Sequence, residues 1–176
     1  MQTNINELEF MYKMTYYDDI SEGYDELHKE EQLNKLSIIS QSGIINKEDY
    51  LLDVGCGTAF SLDYFEIKHA RGIDPSHKLV EKYSGTHEVR VGSAENLPFE
   101  DASFDIVLSV TAIQNFEDVK KGLEEIKRVG KDKFALTYLK KSLKSKLIDD
   151  LIKELFSEFQ IYRMEEEKDV IFLITK

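Results

Sequence analysis

Short apolar runs alternate with stretches of helical periodicity along most of this chain. The clearest run is FDIVLSV (104–110), which is apolar enough to be a strand buried on both faces in the middle of a parallel sheet. The stretch after it carries apolar residues at helical spacing, namely Val119, Leu123, Ile126 and Val129. Because strands that alternate with helices form parallel sheets covered on both faces, the pattern predicts a doubly wound α/β fold.

The rest of the chain fits the same architecture. We predict further strands at 51–54, 70–73, 88–91 and 134–139, and an antiparallel pair at 160–164 and 170–175. Helices are predicted over about 20–42, after a cap at Ser76, and along 143–159. The length of 176 residues and the lack of repeats predict one domain over 1–176, in which 1–45 form an N-terminal helical region.

The charge of the chain is unevenly distributed. The net charge of −11 argues against a protein that coats nucleic acid. Residues 1–49 carry 11 acids and 4 bases, whereas residues 120–146 carry 10 bases and 3 acids. The basic segment has two interpretations: solvated helix faces, or a footprint for a phosphate-bearing substrate or an acidic partner.

Several kinds of site and location are disfavoured. No apolar run approaches the roughly 18 residues that a membrane span needs, and MQTNINELEF lacks the features of a signal peptide, so we expect a cytoplasmic protein. Cys56 is the only cysteine, and no cysteine and histidine cluster has metal-ligand spacing, so no metal is expected. The four histidines are scattered and are expected to be surface or structural residues.

The most informative loop is DVGCGTAFSL (53–62), which follows one predicted strand and leads into a helix. An acid, Asp74, lies about 20 residues downstream, which is the outline of a dinucleotide-binding fold. However, Phe60 occupies the position of the third glycine, and Asp53 would place a like charge beside a pyrophosphate. An acid at this point suits a positively charged ligand such as S-adenosylmethionine, and a nicotinamide-dependent oxidoreductase is disfavoured.

Three segments of the chain resemble one enzyme family. LLDVGCGTAFS (51–61), RGIDPS (71–76) and VGSAENLPFEDASFDIVLS (91–109) resemble the class I S-adenosylmethionine-dependent methyltransferases, in particular the UbiE-like group with a methyltransferase domain of type 11. The segments occur in the family's order and spacing. The resemblance implies a Rossmann-like sheet with a C-terminal antiparallel strand, S-adenosyl-L-methionine as cofactor, and methyl transfer to an acceptor by in-line displacement.

The resemblance also implies roles for individual residues. Asp53 would orient the ammonium of the cofactor, and Asp74 would take both ribose hydroxyls. Tyr17 and Tyr24, in YDDISEGYD (17–25), would belong to a mobile lid, although ordinary helix packing explains them equally well. The remaining implied cofactor contacts are Gly55, Cys56, Gly57, Pro75, Ser93, Ala94, Glu95, Ser109 and Thr111.

Two positions depart from the family pattern. Ala59 replaces a common third glycine, which adds one methyl group under the loop. Ser93 stands where many relatives have an acid that accepts from the adenine amino group. Because a neutral hydroxyl is a weaker acceptor than a carboxylate, we expect weak cofactor binding, which Ser93→Asp should tighten.

The methyl acceptor is not apparent from the sequence, and neither is a catalytic side chain. The Asn/Asp-Pro-Pro-aromatic motif of exocyclic-amine methylators is absent, and TAIQNF (111–116) occupies the corresponding loop. Gln114 and Asn115 are candidates for binding the acceptor, with helix capping by Asn115 or Glu117 as the alternative. The acceptor is a small molecule or a macromolecule. The alternative function is a subunit that modifies RNA or protein and needs an activator protein.

Overall fold

One seven-stranded sheet forms the centre of the protein. The computed structural model describes the backbone of residues 24–176 and the side chains of residues 30–176. The strands lie in the order β3-β2-β1-β4-β5-β7-β6. Their bounds are Tyr50–Val54 (β1), His69–Asp74 (β2), Glu88–Val91 (β3), Phe104–Ser109 (β4), Gly130–Leu139 (β5), Gln160–Glu165 (β6) and Asp169–Thr175 (β7).

Helices connect and cover these strands. Five α-helices and a single 3-10 turn lie within the described part of the chain. They are Tyr24–Gln41 (α1), Phe60–Tyr64 (α2), His77–Glu81 (α3), Ile113–Asn115 (the 3-10 turn), Val119–Val129 (α4) and Ser145–Leu155 (α5).

The strand directions confirm the predicted fold class. Strands β1 to β5 pair in parallel, whereas β7 pairs antiparallel with both β5 and β6. The order reverses between β1 and β4, the two strands that pair Asp53 with Leu108. Ligands of doubly wound sheets bind outside the carboxyl ends of the strands at such a reversal. The topology therefore places the loops after β1, β2 and β4 around one crevice.

Two apolar layers cover the two faces of the sheet. Since successive strand residues point to opposite faces, Leu51 and Leu52 enter different layers. Leu52 packs in the layer formed with α4 and α5, and Leu51 packs in the layer formed with α1 and α2. Leu36 and Ile39 of α1 are fully buried in the second layer. The C-terminal half of α1 is thus part of the core.

Local sequence signals located most element boundaries, with a few corrections. The Ser76 hydroxyl accepts from the Leu79 N–H at 3.3 Å and caps α3, as predicted. Helix α4 is capped by Asp118, whose carboxylate accepts from the Lys121 N–H at 3.0 Å, so neither Asn115 nor Glu117 is the cap. Strand β5 begins at Gly130, and helix α5 ends at Leu155, where the predicted stripe continued to 159.

Within residues 24–176, no helix combines the length and apolar character that crossing a bilayer requires.

Candidate functional site

Asp53, at the carboxyl end of β1, is a buried carboxylate that lacks a full set of partners. Its side chain is 2% exposed. The Ser61 hydroxyl, on α2, donates to Oδ2. Oδ1 is buried and has no hydrogen-bond partner in the part of the chain that the structure describes. A buried acceptor in this state is ready for a donor supplied by a ligand.

No positively charged side chain of residues 30–176 is among the groups that shift the pKa of Asp53. The pKa of Asp53 is raised from 3.8 to about 7: burial raises it most, the hydrogen bond from Ser61 lowers it in part, and the charge of Asp74 adds a smaller increase. A cation placed at Oδ1 would reverse this effect by stabilising the ionised carboxylate. The geometry therefore favours a ligand group that is both a donor and positively charged.

Asp74, at the end of β2, holds the glycine loop in place. Its Oδ2 accepts from the Gly57 N–H and its Oδ1 from the Ser76 N–H, both at 2.8 Å. Pro75 lies between Asp74 and Ser76 in the chain. Gly55 and Gly57 have φ angles of 77° and 57°, which suit glycine better than any other residue. The predicted glycine loop and the predicted acid are thus brought together.

Gly55 also brings the loop after β1 against the loop after β4. A Cβ at Gly55 would lie 2.4 Å from Ala112 Cβ, so a side chain there would collide with the second loop. Cys56 between the glycines is not a nucleophile, because burial raises the pKa of its thiol well above the usual value and Asp53 and Asp74 raise it further. Its sulfur fills the space beside Gly72.

Ala59, the residue that replaces a common third glycine, adopts a left-handed conformation. Its φ is 57°, its side chain is fully buried, and it precedes the first residue of α2. Alanine is strained in this region, by roughly 1–2 kcal/mol. The buried methyl group offsets part of that strain.

The loop after β3 places Ser93, Ala94 and Glu95 together. The Ser93 hydroxyl donates to the Glu95 carboxylate and accepts from the Glu95 N–H at 3.2 Å. Glu95 Oε1 also accepts from the Asp118 N–H at 3.3 Å. A carboxylate therefore lies directly behind the hydroxyl at the position where many relatives carry an acid.

The loop after β4 is strained at Thr111. Ser109, the last residue of β4, is fully buried and its hydroxyl donates to the Val54 carbonyl at 2.9 Å, which joins β4 to β1. Thr111 then has a φ of 56°, which is rare for a β-branched residue. Its N–H donates to the Thr137 hydroxyl at 2.7 Å.

A buried polar cluster holds Thr111 in this conformation, and sequence reasoning did not find it. Lys35 Nζ, on α1, lies 2.7 Å from Thr111 Oγ1 and 3.0 Å from Asp169 Oδ2. Thr111 in turn donates to Asp169 Oδ1 at 3.0 Å. The side chains of Lys35 and Asp169 are each 2% exposed. The only signal in the sequence is that Lys35 stands one helical turn before Ile39, on the apolar face of α1.

Gln114 and Asn115 lie in the 3-10 turn that follows Thr111. Gln114 is buried and its Nε2 donates to the Thr111 carbonyl at 2.6 Å. Its Oε1 is buried without a hydrogen-bond partner among the described residues, like Oδ1 of Asp53. Both residues line a cavity of about 840 Å³ at the carboxyl ends of β4 and β5. The residues predicted to meet the acceptor therefore lie at an open space.

Some sequence predictions remain untested by these contacts. Tyr17 lies outside the described residues, and Tyr24 is the first residue of α1, whose side chain is not described. The proposed lid therefore stays a prediction. Within the described residues, no group of three or more histidine, cysteine, aspartate or glutamate side chains is arranged to hold a metal ion.

Comparison with known proteins connects this geometry to one family. A family model described as a methyltransferase domain matches residues 52–134. A demethylmenaquinone methyltransferase of Thermotoga maritima is 32% identical over 137 residues, which cover 72% of this chain and 60% of that protein. Two other curated relatives, an uncharacterized protein of Methanocaldococcus jannaschii and an uncharacterized methyltransferase of Bacillus subtilis, are each covered over 47% of their length, so the chain spans about half of them.

Solved structures share the fold. A SAM-dependent methyltransferase of Thermotoga maritima superposes with a TM-score of 0.71 at 20% identity, covering 91% of this chain and 98% of that chain. A chain from the complex between the Haloferax volcanii Trm112 methyltransferase activator and its methyltransferase gives a TM-score of 0.71 at 18% identity, covering 90% and 96%.

Proposed function

Because this chain belongs to the methyltransferase domain family through residues 52–134, we propose that it transfers a methyl group from S-adenosyl-L-methionine to an acceptor bound at the ends of β4 and β5. The observation that carries the proposal is Asp53, whose buried Oδ1 has no donor among the described residues. The cofactor contains an ammonium group, which is the donor and the positive charge that this carboxylate lacks.

The residues around Asp53 fit the rest of such a ligand. Asp74 fixes the glycine loop through the Gly57 N–H, and carboxylate oxygens are acceptors for hydroxyls such as those of ribose. The family resemblance assigns the backbone at Gly55 and Gly57 to the methionine part. The Ser93 and Glu95 pair offers acceptor oxygens to the adenine amino group. These roles are proposals for the residues that the family resemblance selects.

Methyl transfer from a sulfonium needs little general acid or general base catalysis. When bound, the cofactor supplies an electrophilic methyl group: the acceptor's lone pair bonds to the methyl carbon as the carbon–sulfur bond breaks, and the electron pair remains on a neutral sulfur. A proton carried by the acceptor atom leaves to water. The task of this chain's residues is then alignment and exclusion of water, which the buried loops after β1 and β4 can perform.

A calorimetric titration with S-adenosylmethionine tests the proposal. We expect the wild type to bind, and Asp53→Asn to bind at least about 30-fold more weakly, since the ammonium loses a buried counter-charge. Asp63→Asn is the matched control, because Asp63 is an exposed acid on α2, and it should bind like the wild type. NADH should not bind.

Three outcomes separate the alternatives. Saturable binding of NADH, or unchanged cofactor affinity in Asp53→Asn, would contradict the proposal. Cofactor binding without methylation of any acceptor until a cell lysate is added would favour the alternative, a subunit that needs a partner protein. Methylation by the purified chain would favour the self-sufficient enzyme.

A further inference from the structure

The cavity beside Gln114 has the size of a small-molecule site. Its volume of about 840 Å³ lies within the range of roughly 300–1,000 Å³ that is usual for ligand pockets. Its walls come from the 3-10 turn after β4, the turn after β5, and the turn between β6 and β7. Because methyl transfer is proposed at the end of β4, this cavity is the place where the acceptor would bind.

The charge of the cavity is strongly positive. Four lysines and a single glutamate line it: Lys140, Lys141, Lys144, Lys168 and Glu167. The Lys140 N–H donates to the Lys168 carbonyl at 2.9 Å, which fixes the two lysine-bearing turns side by side. Lys140 pairs with Glu165 at 3.8 Å and Lys168 pairs with Glu31. Lys141 has no ion-pair partner among residues 30–176, so at least one positive charge is left for a ligand.

Elsewhere the basic segment 120–146 is largely neutralised. Lys127 pairs with Glu158, Arg128 with Glu125 and Asp101, Lys131 with Asp105, and Lys133 with Asp49. Three of the ten bases of this segment, Lys140, Lys141 and Lys144, line the cavity. The net charge of −11 for the whole chain would repel a long polyanion such as RNA. A small anion that enters a local basic pocket experiences mainly the nearby lysines.

Two further features define the ligand. Oε1 of Gln114 is a buried acceptor without a donor among the described residues, so the ligand should carry an N–H or O–H at that point. Leu139 and Leu143 supply apolar surface, and Leu143 is fully exposed at the rim. An apolar body would cover that exposed side chain.

From these observations we propose that the methyl acceptor is a small anionic molecule, with a carboxylate or phosphate held by Lys140 and Lys141 and an N–H or O–H donated to Gln114. This inference rests on the proposed methyltransferase function. It names the class of substrate that this particular set of side chains selects.

A pair of fluorescent probes tests the charge of the site. The probe 8-anilinonaphthalene-1-sulfonate has an apolar body, an aniline N–H and an anion, and N-phenyl-1-naphthylamine is the same molecule without the anion. Both are titrated into protein saturated with S-adenosylmethionine, which also blocks the cofactor site. We expect the wild type to bind the anionic probe about tenfold more tightly than the neutral one.

Variants assign the preference to the cavity. The double variant Lys140→Gln, Lys141→Gln should bind the anionic probe about three- to tenfold more weakly and the neutral probe unchanged. Lys146→Gln is the control, because this lysine belongs to the same basic segment but faces Asp150, and it should behave like the wild type. Gln114→Met should weaken both probes alike, since both carry the N–H.

Competition with small anions distinguishes a carboxylate acceptor from a phosphate acceptor, and other outcomes would contradict the inference. Displacement by benzoate indicates a carboxylate acceptor, and displacement by phenyl phosphate indicates a phosphate acceptor. Equal binding of the two probes, equal losses in the cavity variant and in Lys146→Gln, or displacement by a micromolar RNA oligonucleotide would overturn the inference. Saturation with S-adenosylmethionine is measured first, so its failure would count against the proposed function and not against the acceptor class.

Discussion

Two buried aspartates at the same edge of the sheet have opposite surroundings. Asp169, at the start of β7, is 1% exposed and its charge is balanced by Lys35 at 3.0 Å and by the hydroxyl of Thr111. Asp53, at the end of β1, is 2% exposed, receives one hydrogen bond from Ser61, and has another acid, Asp74, as its charged neighbour. The fold itself compensates Asp169, whereas it leaves Asp53 uncompensated.

The difference separates the two halves of the crevice. In the proposed acceptor half, around β4 and β7, Lys35, Thr111 and Asp169 satisfy one another and fix the strained loop. Gln114 Oε1, in the same half, has no hydrogen-bond partner among the described residues. In the cofactor half, around β1 and β2, a buried charge is held without a cation, which is unfavourable until a ligand binds. Removing the cation that balances Asp169 should therefore lower the stability of the protein. Removing the charge of Asp53 should raise the stability of the protein without cofactor and weaken cofactor binding.

The largest expected effect is on the compensated side. Lys35→Met leaves Asp169 buried without its cation, and we expect the free energy of unfolding to fall by about 3–5 kcal/mol. Urea unfolding at neutral pH measures it. Lys47→Met is the matched control, because Lys47 and Glu66 form an exposed pair, 77% and 78% exposed, and its loss should be below about 0.5 kcal/mol. A loss of less than about 1 kcal/mol in Lys35→Met would break the comparison.

At Asp53, which has no balancing cation among the described residues, substitution should raise the free energy of unfolding instead of lowering it. Because the folded-state pKa of Asp53 is raised from 3.8 to about 7, wild-type stability from this group is lost as pH rises through that range. Asp53→Asn cannot ionise, so we expect it to be more stable than the wild type above pH 7, by up to about 4 kcal/mol, with the gain shrinking as pH falls toward 4.

Thermal unfolding of both chains between pH 4 and pH 8, without cofactor, measures this gain. Asp63→Asn should show no such pH-dependent gain. If Asp53→Asn were less stable than the wild type at pH 8, then Asp53 would be compensated like Asp169, and the distinction between the two halves would be lost.

The smallest expected effect concerns the strained alanine in the cofactor half. Ala59→Gly relieves the left-handed backbone but removes a buried methyl group and adds flexibility to the unfolded chain, so unfolding free energy should change by less than about 1 kcal/mol. Ala59→Val keeps the strain and adds bulk in a fully buried position, and it should cost more than about 2 kcal/mol. Equal stability of the two variants would show that the conformation at Ala59 is not a constraint.

The closeness of the glycine loop and Asp74 at one edge of the sheet could be predicted because the two segments are near each other in the sequence. Ser61 reaches Asp53 across 8 positions, and the Gly57 N–H reaches Asp74 across 17. Glycines, an acid and a following helix are recognisable over such distances, as is the alternation of strands and helices that set the fold. The lid assigned to Tyr17 and the other cofactor contacts remain predictions.

The acceptor half could not be predicted because its contacts join distant parts of the chain. Lys35 meets Thr111 across 76 positions and Asp169 across 134. In the sequence, Lys35 is one lysine in an acidic helix, and Asp169 belongs to a polar turn. Gln114 could be named as a candidate, but its unpartnered oxygen and the cavity beside it depend on the turns after β5 and β6.

The sequence by itself determined the doubly wound sheet, the glycine loop, and the position of an acid at the end of β1, because apolar periodicity and short-range turn chemistry specify them. Only the tertiary structure decided which charges are balanced and which are left for a ligand. Burial and pairing are properties of three-dimensional neighbours, so the buried ion pair of α1 and β7, and the gathering of four lysines at one cavity, follow only when the strands are placed side by side.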